Sequence, residues 1–503
     1  MPTIVLATLN ARYTHASLGL RYLAANMGEL AQDTQIMEFV LQNRPEEIIE
    51  AIVAAQPRIV GLGVYIWNVA EITRVAALLK RVAPEITVVL GGPEVSHECE
   101  EQEIVRVADY VITGWGDISF PKLCRELLQK RPQAQKIIPG IQPPLTEIKL
   151  PYALYTDDDI AHRTLYVEAS RGCPFKCEFC LSSLDKTAWA FDLDQFLAEI
   201  ARLYERGARQ FKFVDRTFNL NIKASVRILQ FFLARLDDRL FVHFEVIPDH
   251  LPDALKELIV KFPPGSLQFE VGIQTFNPEV QALISRKQDT AKTEENLRWL
   301  RTESHAHIHV DLIIGLPGED VTSFAQGFDR LVALRQQEIQ VGVLKRLRGT
   351  PIIRHTAAFD MRYTPYAPYT VLATDRIDFP TMQRLVRFAR YWDLVANSGR
   401  FPHALPLLLG GSPFARFLQF ADWLYATTGK THQIALDRLF ELVYRGMTDC
   451  LAVAQAEAYA EVARDFAHSG SKEIPGFMKV DHEASRKAKA SRPASRQARH
   501  LIE

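Results

Sequence analysis

An alternation of short apolar runs with amphipathic segments narrows the fold of this chain more than any other feature. Between Thr3 and about Lys130 it runs Thr3–Ala7 then Leu18–Gly28, Gln35–Phe39 then Pro45–Ala55, Ile59–Val64 then Ala70–Val82, Thr87–Leu90 then Ser96–Val107, and Tyr110–Ile112 then Ile118–Lys130. The apolar runs are continuous, so helices are expected to cover both faces of each strand. That is a doubly wound, parallel α/β sheet, whose ligands lie beyond the carboxyl ends of its strands. Glycines fall at those ends: Gly61 and Gly63 in the third strand, Gly91-Gly92-Pro93 after the fourth and Gly114-Trp115-Gly116 after the fifth. Without a Cβ they let something bulky approach the backbone, although a tight turn alone accounts for any single one.

Pro132, Pro139, Pro143, Pro144 and Pro151 interrupt regular structure, so residues 1–138 form a first domain and 139–160 a linker. Strand-like runs then resume at Thr164–Ala169, Phe211–Val214, Phe241–Val246, Leu267–Gly272, Ile308–Gly315 and Ile339–Leu344. Helix-length segments separate them, which predicts a partial (β/α)6 barrel over 161–350. Past about Arg354 the strands fade, and Phe379–Asn397, Pro413–Tyr425 and Ile434–Phe466 read as helices of a mainly helical domain, 351–470. The last stretch, 471–503, reads as a basic, disordered tail. Six of its residues between Ser485 and His500 are Lys or Arg and none is acidic; with a net charge of −1 overall, the rest of the chain carries −7. Such a tail is a solvated arm or a contact for nucleic acid or another anionic partner.

No apolar run approaches the ~20 residues of a membrane span, and the first residues lack the basic-then-apolar pattern of a secretory leader. A cytoplasmic, reducing location is therefore expected. Of six cysteines, three crowd into Arg171-Gly-Cys173-Pro-Phe-Lys-Cys177-Glu-Phe-Cys180, directly after the first strand of the second alternation. In a reducing compartment such crowding means metal binding. Zinc sites usually close with four ligands, and the segment has no fourth Cys or His. An iron–sulfur cubane held by three thiolates leaves one iron open, at the strand ends where barrel enzymes keep their chemistry.

This CxxxCxxC, with Phe179 just before its last cysteine, resembles the signature of the radical S-adenosylmethionine (radical SAM) superfamily. The resemblance implies that Cys173, Cys177 and Cys180 hold a 4Fe-4S cluster whose fourth iron chelates S-adenosylmethionine. Reductive cleavage, fed by an external low-potential electron donor, then gives methionine and a 5′-deoxyadenosyl radical. Lys212-Phe-Val-Asp215-Arg-Thr-Phe218-Asn219, Phe269-Glu270-Val-Gly272-Ile-Gln274-Thr-Phe276 and Asp311-Leu-Ile-Ile-Gly315-Leu-Pro-Gly318-Glu319 resemble the superfamily's second, fourth and fifth barrel strands. By that likeness Asp215, Glu245, Glu270 and Gln274 surround the ribose and methionine of S-adenosylmethionine, with Phe179 and Gly315 near its adenine. A solvated strand end or a satisfied hydrogen-bond partner is the plainer role for each acid.

No GxGxxG follows the first strand, which weakens a dinucleotide reading. Gly91-Gly-Pro-Glu94 and Asp109-Tyr-Val-Ile-Thr-Gly114-Trp-Gly116-Asp117 instead make the first domain similar to the cobalamin-binding domain of cobalamin-dependent radical SAM enzymes, a likeness covering roughly residues 1–345. The family's DxHxxG motif is missing: His15 lies in the corresponding loop without the orienting Asp, so it is not expected to ligate cobalt. Tyr65 and Trp67 then cover the lower corrin face, unless Trp67 packs in the core. The activity implied is methylation of an unactivated carbon through methylcobalamin. Non-methylating cyclisation, rearrangement or oxidation with the same cofactors is the alternative, and an RNA-associated binding protein a more distant one. Residues 354–470 resemble an uncharacterised domain attached to some of these proteins. Its Tyr363, Tyr366, Tyr369, Arg387, Arg390, Tyr391, Trp392 and Arg400 are packing residues for the most part, with a minority lining a substrate channel. The substrate, small molecule or peptide, is left open.

Overall fold

The computed structural model describes residues 1–185, 187–470, 475–478 and 496–500. They form two compact units: Met1–Glu245 with Lys345–Ile353 and Thr364–Thr370, and Val246–Leu344 with Arg354–Tyr363 and Val371–Glu503.

In the first unit β1 (Ile4–Asn10), β2 (Thr34–Val40), β3 (Ile59–Gly63), β4 (Thr87–Gly91), β5 (Tyr110–Thr113) and β6 (Ile137–Pro139) make a sheet of order β2-β1-β3-β4-β5-β6. All of its pairings are parallel. Every residue of β1 is buried, as a strand covered on both faces requires. One face packs Val5, Val60, Val88 and Val111 under the helices Pro45–Ala54 and Val69–Val82, and the other packs Ile4, Leu6 and Ile112 under Leu18–Ala25 and Ser119–Leu128. The direction of winding reverses between β1 and β3, so their carboxyl ends form the topological switch point.

The proline-rich stretch differs from a free linker. Its Ile137–Pro139 pairs with β5, and the hydroxyl of buried Tyr152 donates to the Glu168 carbonyl at 3.0 Å. The helix Asp157–His162 is anchored by Asp159, which pairs with buried Arg21 at 2.7 Å. Proline removes amide donors but does not prevent an edge strand or burial of the apolar residues beside it.

The unit continues with β7 (Leu165–Val167), a two-stranded antiparallel pair β8 (Ser170–Arg171) and β9 (Trp189–Ala190), β10 (Gln210–Phe213) and β11 (Phe241–Val246), with β10 parallel to both β7 and β11. The later segments return to this unit through ion pairs: Arg346 and Arg348 hold Glu98, Arg348 also holds Glu94, and the Tyr369 hydroxyl donates to Glu94 at 2.6 Å.

The second unit carries β12 (Leu267–Gln274), β13 (His307–Ile314) and β14 (Glu338–Val343), parallel and in chain order. A short hairpin, β15 (Arg362–Tyr363) with β16 (Val371–Ala373), precedes the helices Phe379–Val395, Ala404–Leu409, Pro413–Thr428, Leu436–Arg445 and Gln455–His468. Tyr391 and Trp392 are core residues, Trp392 lying edge-on to Phe328 and Phe417, whereas Tyr366 is 78% exposed. The helix expected over Ile434–Phe466 continues from Leu436–Arg445 into a wider helical turn at Gly446–Cys450 and is broken only at 451–454, before Gln455–His468; Gly446 lets the Phe420 ring approach closer than any Cβ would allow.

Most of the basic tail, including Arg486, Lys487, Lys489 and Arg492, lies outside the described residues. Arg496 and Arg499 lie in a short helix turned onto the second unit rather than presented as a free arm: Arg496 pairs with Glu338 at 2.7 Å and Asp393 at 2.9 Å, and the Arg499 Nε donates to the Ser398 carbonyl at 2.7 Å. Among the described residues no helix is long and apolar enough to cross a membrane.

Candidate functional site

The three clustered cysteines occupy one loop, and the β8–β9 pair closes its base. Gly172 makes the closure possible: its φ is +87°, and a Cβ there would overlap the Thr187 carbonyl. Inside the loop the Cys173 amide donates to the Asp185 carbonyl (3.1 Å), while the Ser183 hydroxyl reaches the carbonyls of Cys177 (2.8 Å) and Cys180 (2.7 Å). All three thiols are free of disulfides; Cys173 and Cys177 are buried and Cys180 half-buried. Burial first, then the neighbouring Cys180 and Cys177, pushes the Cys173 thiol up. The backbone thus gathers the trio, although among the described residues no three Cys, His, Asp or Glu side chains converge on a ready-made metal point. Three cysteines outside any disulfide on one pinned loop suit an iron–sulfur cluster as donors, with a fourth position left to another ligand. Phe179 sits half-buried in the turn before Cys180.

Arg171 lies two residues before Cys173, and the sequence pattern alone gives it no role. Its guanidinium pairs with Glu168 at 2.7 Å and Asp117 at 3.1 Å, and lies over the rings of Tyr22 (4.3 Å), Trp115 (4.9 Å) and Phe191 (5.5 Å). Burial opposes its charge, but the two carboxylates outweigh it and hold the pKa above the usual arginine value. The cysteine loop is thereby fastened to the Gly114–Asp117 turn of the first sheet. A directly preceding Arg-Gly was the available signal, but nothing local reveals partners from 3 to 149 residues away.

Asp215, at the carboxyl end of β10, is buried and accepts from the Ala169 amide (3.0 Å) and the Ser170 hydroxyl (2.6 Å), bracing the start of the same loop. Burial raises its pKa to about 7. A carboxyl whose folded pKa lies above its unfolded value favours folding below the unfolded pKa and loses that contribution as pH rises through the folded one. The unfolding free energy of the unloaded protein, from urea titrations, should therefore fall from about pH 4 to about pH 7 and level off above, by an amount on the order of a few kcal/mol for this group. Asp215→Asn should flatten that part of the slope, leaving what Glu319 and Asp465, also raised by burial, contribute. A variant with the wild-type slope would show that Asp215 is ionised at little cost. Glu245 accepts a pair of 2.9 Å bonds from Arg216, another residue the sequence did not single out; that guanidinium also lowers the Cys173 pKa slightly against the effect of burial.

In the second unit Glu270, Gly272 and Gln274 alternate along one half-buried face of β12, while Phe269, Val271 and Ile273 are fully buried on the other. His309 and Asp311 of β13 continue the polar face, registered opposite Glu270 and Gly272. Gln274 has φ +69° at a bulge, and its amide lies so close over Gly272 that a side chain there would collide with it. Gly315 (φ +83°) is covered by Val371 and Met382, with 2.5 Å from a would-be Cβ to Val371 Cγ1.

At the switch point of the first sheet Tyr65 and Trp67 stack at 4.4 Å and 8°, and the Trp67 indole donates to the Leu9 carbonyl at 3.3 Å. Trp67 is 48% exposed, so it is a surface platform and not core packing. Beside it Gly91 has its nearest neighbour 3.9 Å from a would-be Cβ, and Gly114 (φ +67°) has none within 4 Å, which leaves an open edge. Gly92 (φ +111°) turns the chain against the Val64 carbonyl into Pro93, which opens the 3-10 turn Pro93–Val95. Gly63 lies over Thr8 and Gly116 against Leu23. Gly61 serves packing: its missing Cβ makes room for Phe120 and Leu6 inside the domain, away from the strand ends. An open edge bordered by a flat aromatic pair suits a broad macrocycle. His15 is engaged elsewhere, with Nδ1 2.6 Å from the Tyr166 hydroxyl; burial, then Arg12 and Lys212, lowers its pKa.

Comparison with known proteins agrees with this geometry. Residues 4–124 match the B12 binding domain, 167–331 the Radical SAM superfamily, and 357–501 a protein family of unknown function, DUF4080. The chain thus combines a segment matching the B12 binding domain, a segment matching the Radical SAM superfamily and a C-terminal segment matching DUF4080. It is 29% identical to an uncharacterized methyltransferase, PH0819, of Pyrococcus horikoshii, over 43% of this chain and 52% of that protein. It is 23% identical to the cobalamin-dependent radical SAM methyltransferase TokK of Streptomyces tokunonensis, over 61% and 49%. The chain thus spans about half the length of these relatives. Its fold is shared with the cobalamin-dependent S-adenosylmethionine radical enzyme OxsB, with a TM-score of 0.63 over 93% of this chain and 83% of that one at 12% identity.

Proposed function

We propose that this chain is a cobalamin-dependent radical SAM enzyme that methylates an unactivated carbon of its substrate. The observation that carries the reading is that one compact unit holds both the three-thiol loop and the glycine- and aromatic-lined switch point, with Arg171 fastening the loop to the Gly114–Asp117 turn of the same sheet. When bound, the cluster supplies a low-potential electron to S-adenosylmethionine and cobalamin carries the methyl group. Cys173, Cys177 and Cys180 would hold the cluster, and Tyr65 with Trp67 would face the corrin. Asp215 keeps the loop in place through Ala169 and Ser170, while Glu270 and Gln274 offer a polar strand face to the methionine and ribose. The buried aromatic walls around Phe213, Phe218 and Phe244 keep water from this end of the strands. Electrons come from an external donor, and cysteines held outside disulfides suit the cytoplasm.

Methylation is favoured over other radical chemistry because both relatives above are described as methyltransferases. The test needs no substrate. Holoprotein loaded with iron, sulfide and cobalamin is reduced anaerobically with S-adenosylmethionine carrying a labelled methyl group. The expected result is S-adenosylhomocysteine, label on the corrin, and slow 5′-deoxyadenosine release. Formation of 5′-deoxyadenosine with all label retained in methionine would assign the protein to the non-methylating alternative.

A further inference from the structure

We propose that the notch between the Ser398–His403 loop and the helices Gln455–His468 and Arg496–Arg499 binds a dianionic tetrahedral oxyanion, a phosphate or phosphate ester, with Arg400 as its principal ligand. The notch is open-sided and lined by Gly399, Arg400, His403, Asp465, His468 and Arg499. Gly399 (φ +63°) brings the two walls together: a Cβ there would lie 3.1 Å from the Arg499 Cβ and from the His500 Nε2. Arg499 is consequently held beside Arg400.

Among the described lining residues, two arginines and two histidines accompany one carboxylate. The Arg400 guanidinium is half-buried, and no ion pair or side-chain hydrogen bond joins it to a described residue; only its backbone amide donates, to the Ser398 hydroxyl at 3.3 Å. His403 and His468 face each other with ring centroids 6.4 Å apart, and His468 uses Nδ1 on the Arg464 carbonyl, keeping Nε2 for another partner. Asp465 is the single lining carboxylate, and its two oxygens already accept the amides of His403 (3.0 Å) and Ala404 (2.9 Å). The surrounding acids are also engaged: Asp393 with Arg390 and Arg496, Glu338 with His307 and Arg496, and Glu461 with Arg464. Burial, followed by the charge of Arg496, lowers the Arg400 pKa against a smaller opposing pull from Asp393, and Arg499 is lowered by burial and by Arg400.

A folded chain rarely keeps a half-buried cation without a counter-charge, because its lost hydration is then unrepaid. Two guanidiniums and two imidazoles around one opening match an oxyanion with several oxygens and two charges, which guanidinium forks bind well. A monocarboxylate offers too few oxygens and too little charge. This site lies in the region matching DUF4080 and is independent of the cluster and the corrin.

The test is calorimetric titration of the full-length protein with inorganic phosphate, with glycerol 3-phosphate and with acetate, each against chloride at matched ionic strength. Saturable phosphate binding with a dissociation constant below about 1 mM is expected. Arg400→Met should weaken it at least tenfold while leaving the melting temperature in phosphate-free buffer unchanged or raised, since it removes a half-buried charge that forms no ion pair among the described residues. Tighter binding of the ester would point to a phosphorylated organic ligand, and preference for the free ion to phosphate itself; both support the site. His468→Gln, on the rim, supplies a second weakening if Arg400→Met does not fold. Phosphate heats equal to chloride, acetate binding as tightly as phosphate, or unchanged phosphate affinity in both variants would overturn the proposal.

Discussion

Cys177→Ala protein, purified without oxygen and loaded with iron and sulfide, is expected to lack the brown absorbance of the wild type and to form 5′-deoxyadenosine more than about a hundredfold more slowly. Outer-shell substitutions at metal sites already cost about 10–100-fold, and Cys177 is the middle one of the three donors proposed above. The effect should be separable from folding. Cys177 forms no disulfide, and the Ser183 bond holding the loop goes to its carbonyl, which alanine keeps. Far-ultraviolet circular dichroism should therefore match the wild type. A variant that retains the chromophore would mean that the thiol is not a ligand.

Arg171→Met should destabilise the protein by about 3–5 kcal/mol, because removing one partner of a buried ion pair leaves the other charges uncompensated. The side chains of Glu168 and Asp117 are only 12% and 9% exposed, so water cannot take over the role of the guanidinium. Arg171→Lys should recover part of the loss: an ammonium keeps the charge but cannot fork between two carboxylates while lying flat on Tyr22 and Trp115. Urea denaturation checks the magnitude. Chelator-driven bleaching checks the consequence for the cysteine loop, which should lose iron faster in both variants, in the order Met then Lys. A Met variant within 1 kcal/mol of wild type would show that the cluster of charges and rings around Arg171 contributes little.

The strands were legible because burial on both faces leaves a strong one-dimensional signal: the run Ile4–Leu9, for instance, has no polar residue except Thr8, and Thr8 bonds to Gly63 across the sheet. The cysteine trio was legible because its chemistry is set by spacing within a few residues. What depends on distant contacts was not. Ile137–Pro139 becomes an edge strand only because β5 lies alongside, Gly61 is a packing residue only because Phe120 arrives from a helix 59 residues later, and Arg171 acquires its role from five partners dispersed along the chain. The site residues placed by resemblance divide between two units. Asp215 and Glu245 have bonded partners beside the cysteine loop, whereas Glu270 and Gln274 share a strand face in the second unit.

The most direct measurement is electron paramagnetic resonance of the reduced, iron-loaded protein before and after adding S-adenosylmethionine. If three thiolates leave one iron open, the nucleotide must bind that iron, and the g-values of the reduced cluster should move on its addition and return on its removal. An unchanged spectrum at saturating S-adenosylmethionine, or the absence of a reducible cluster in anaerobic wild-type protein, would contradict the account.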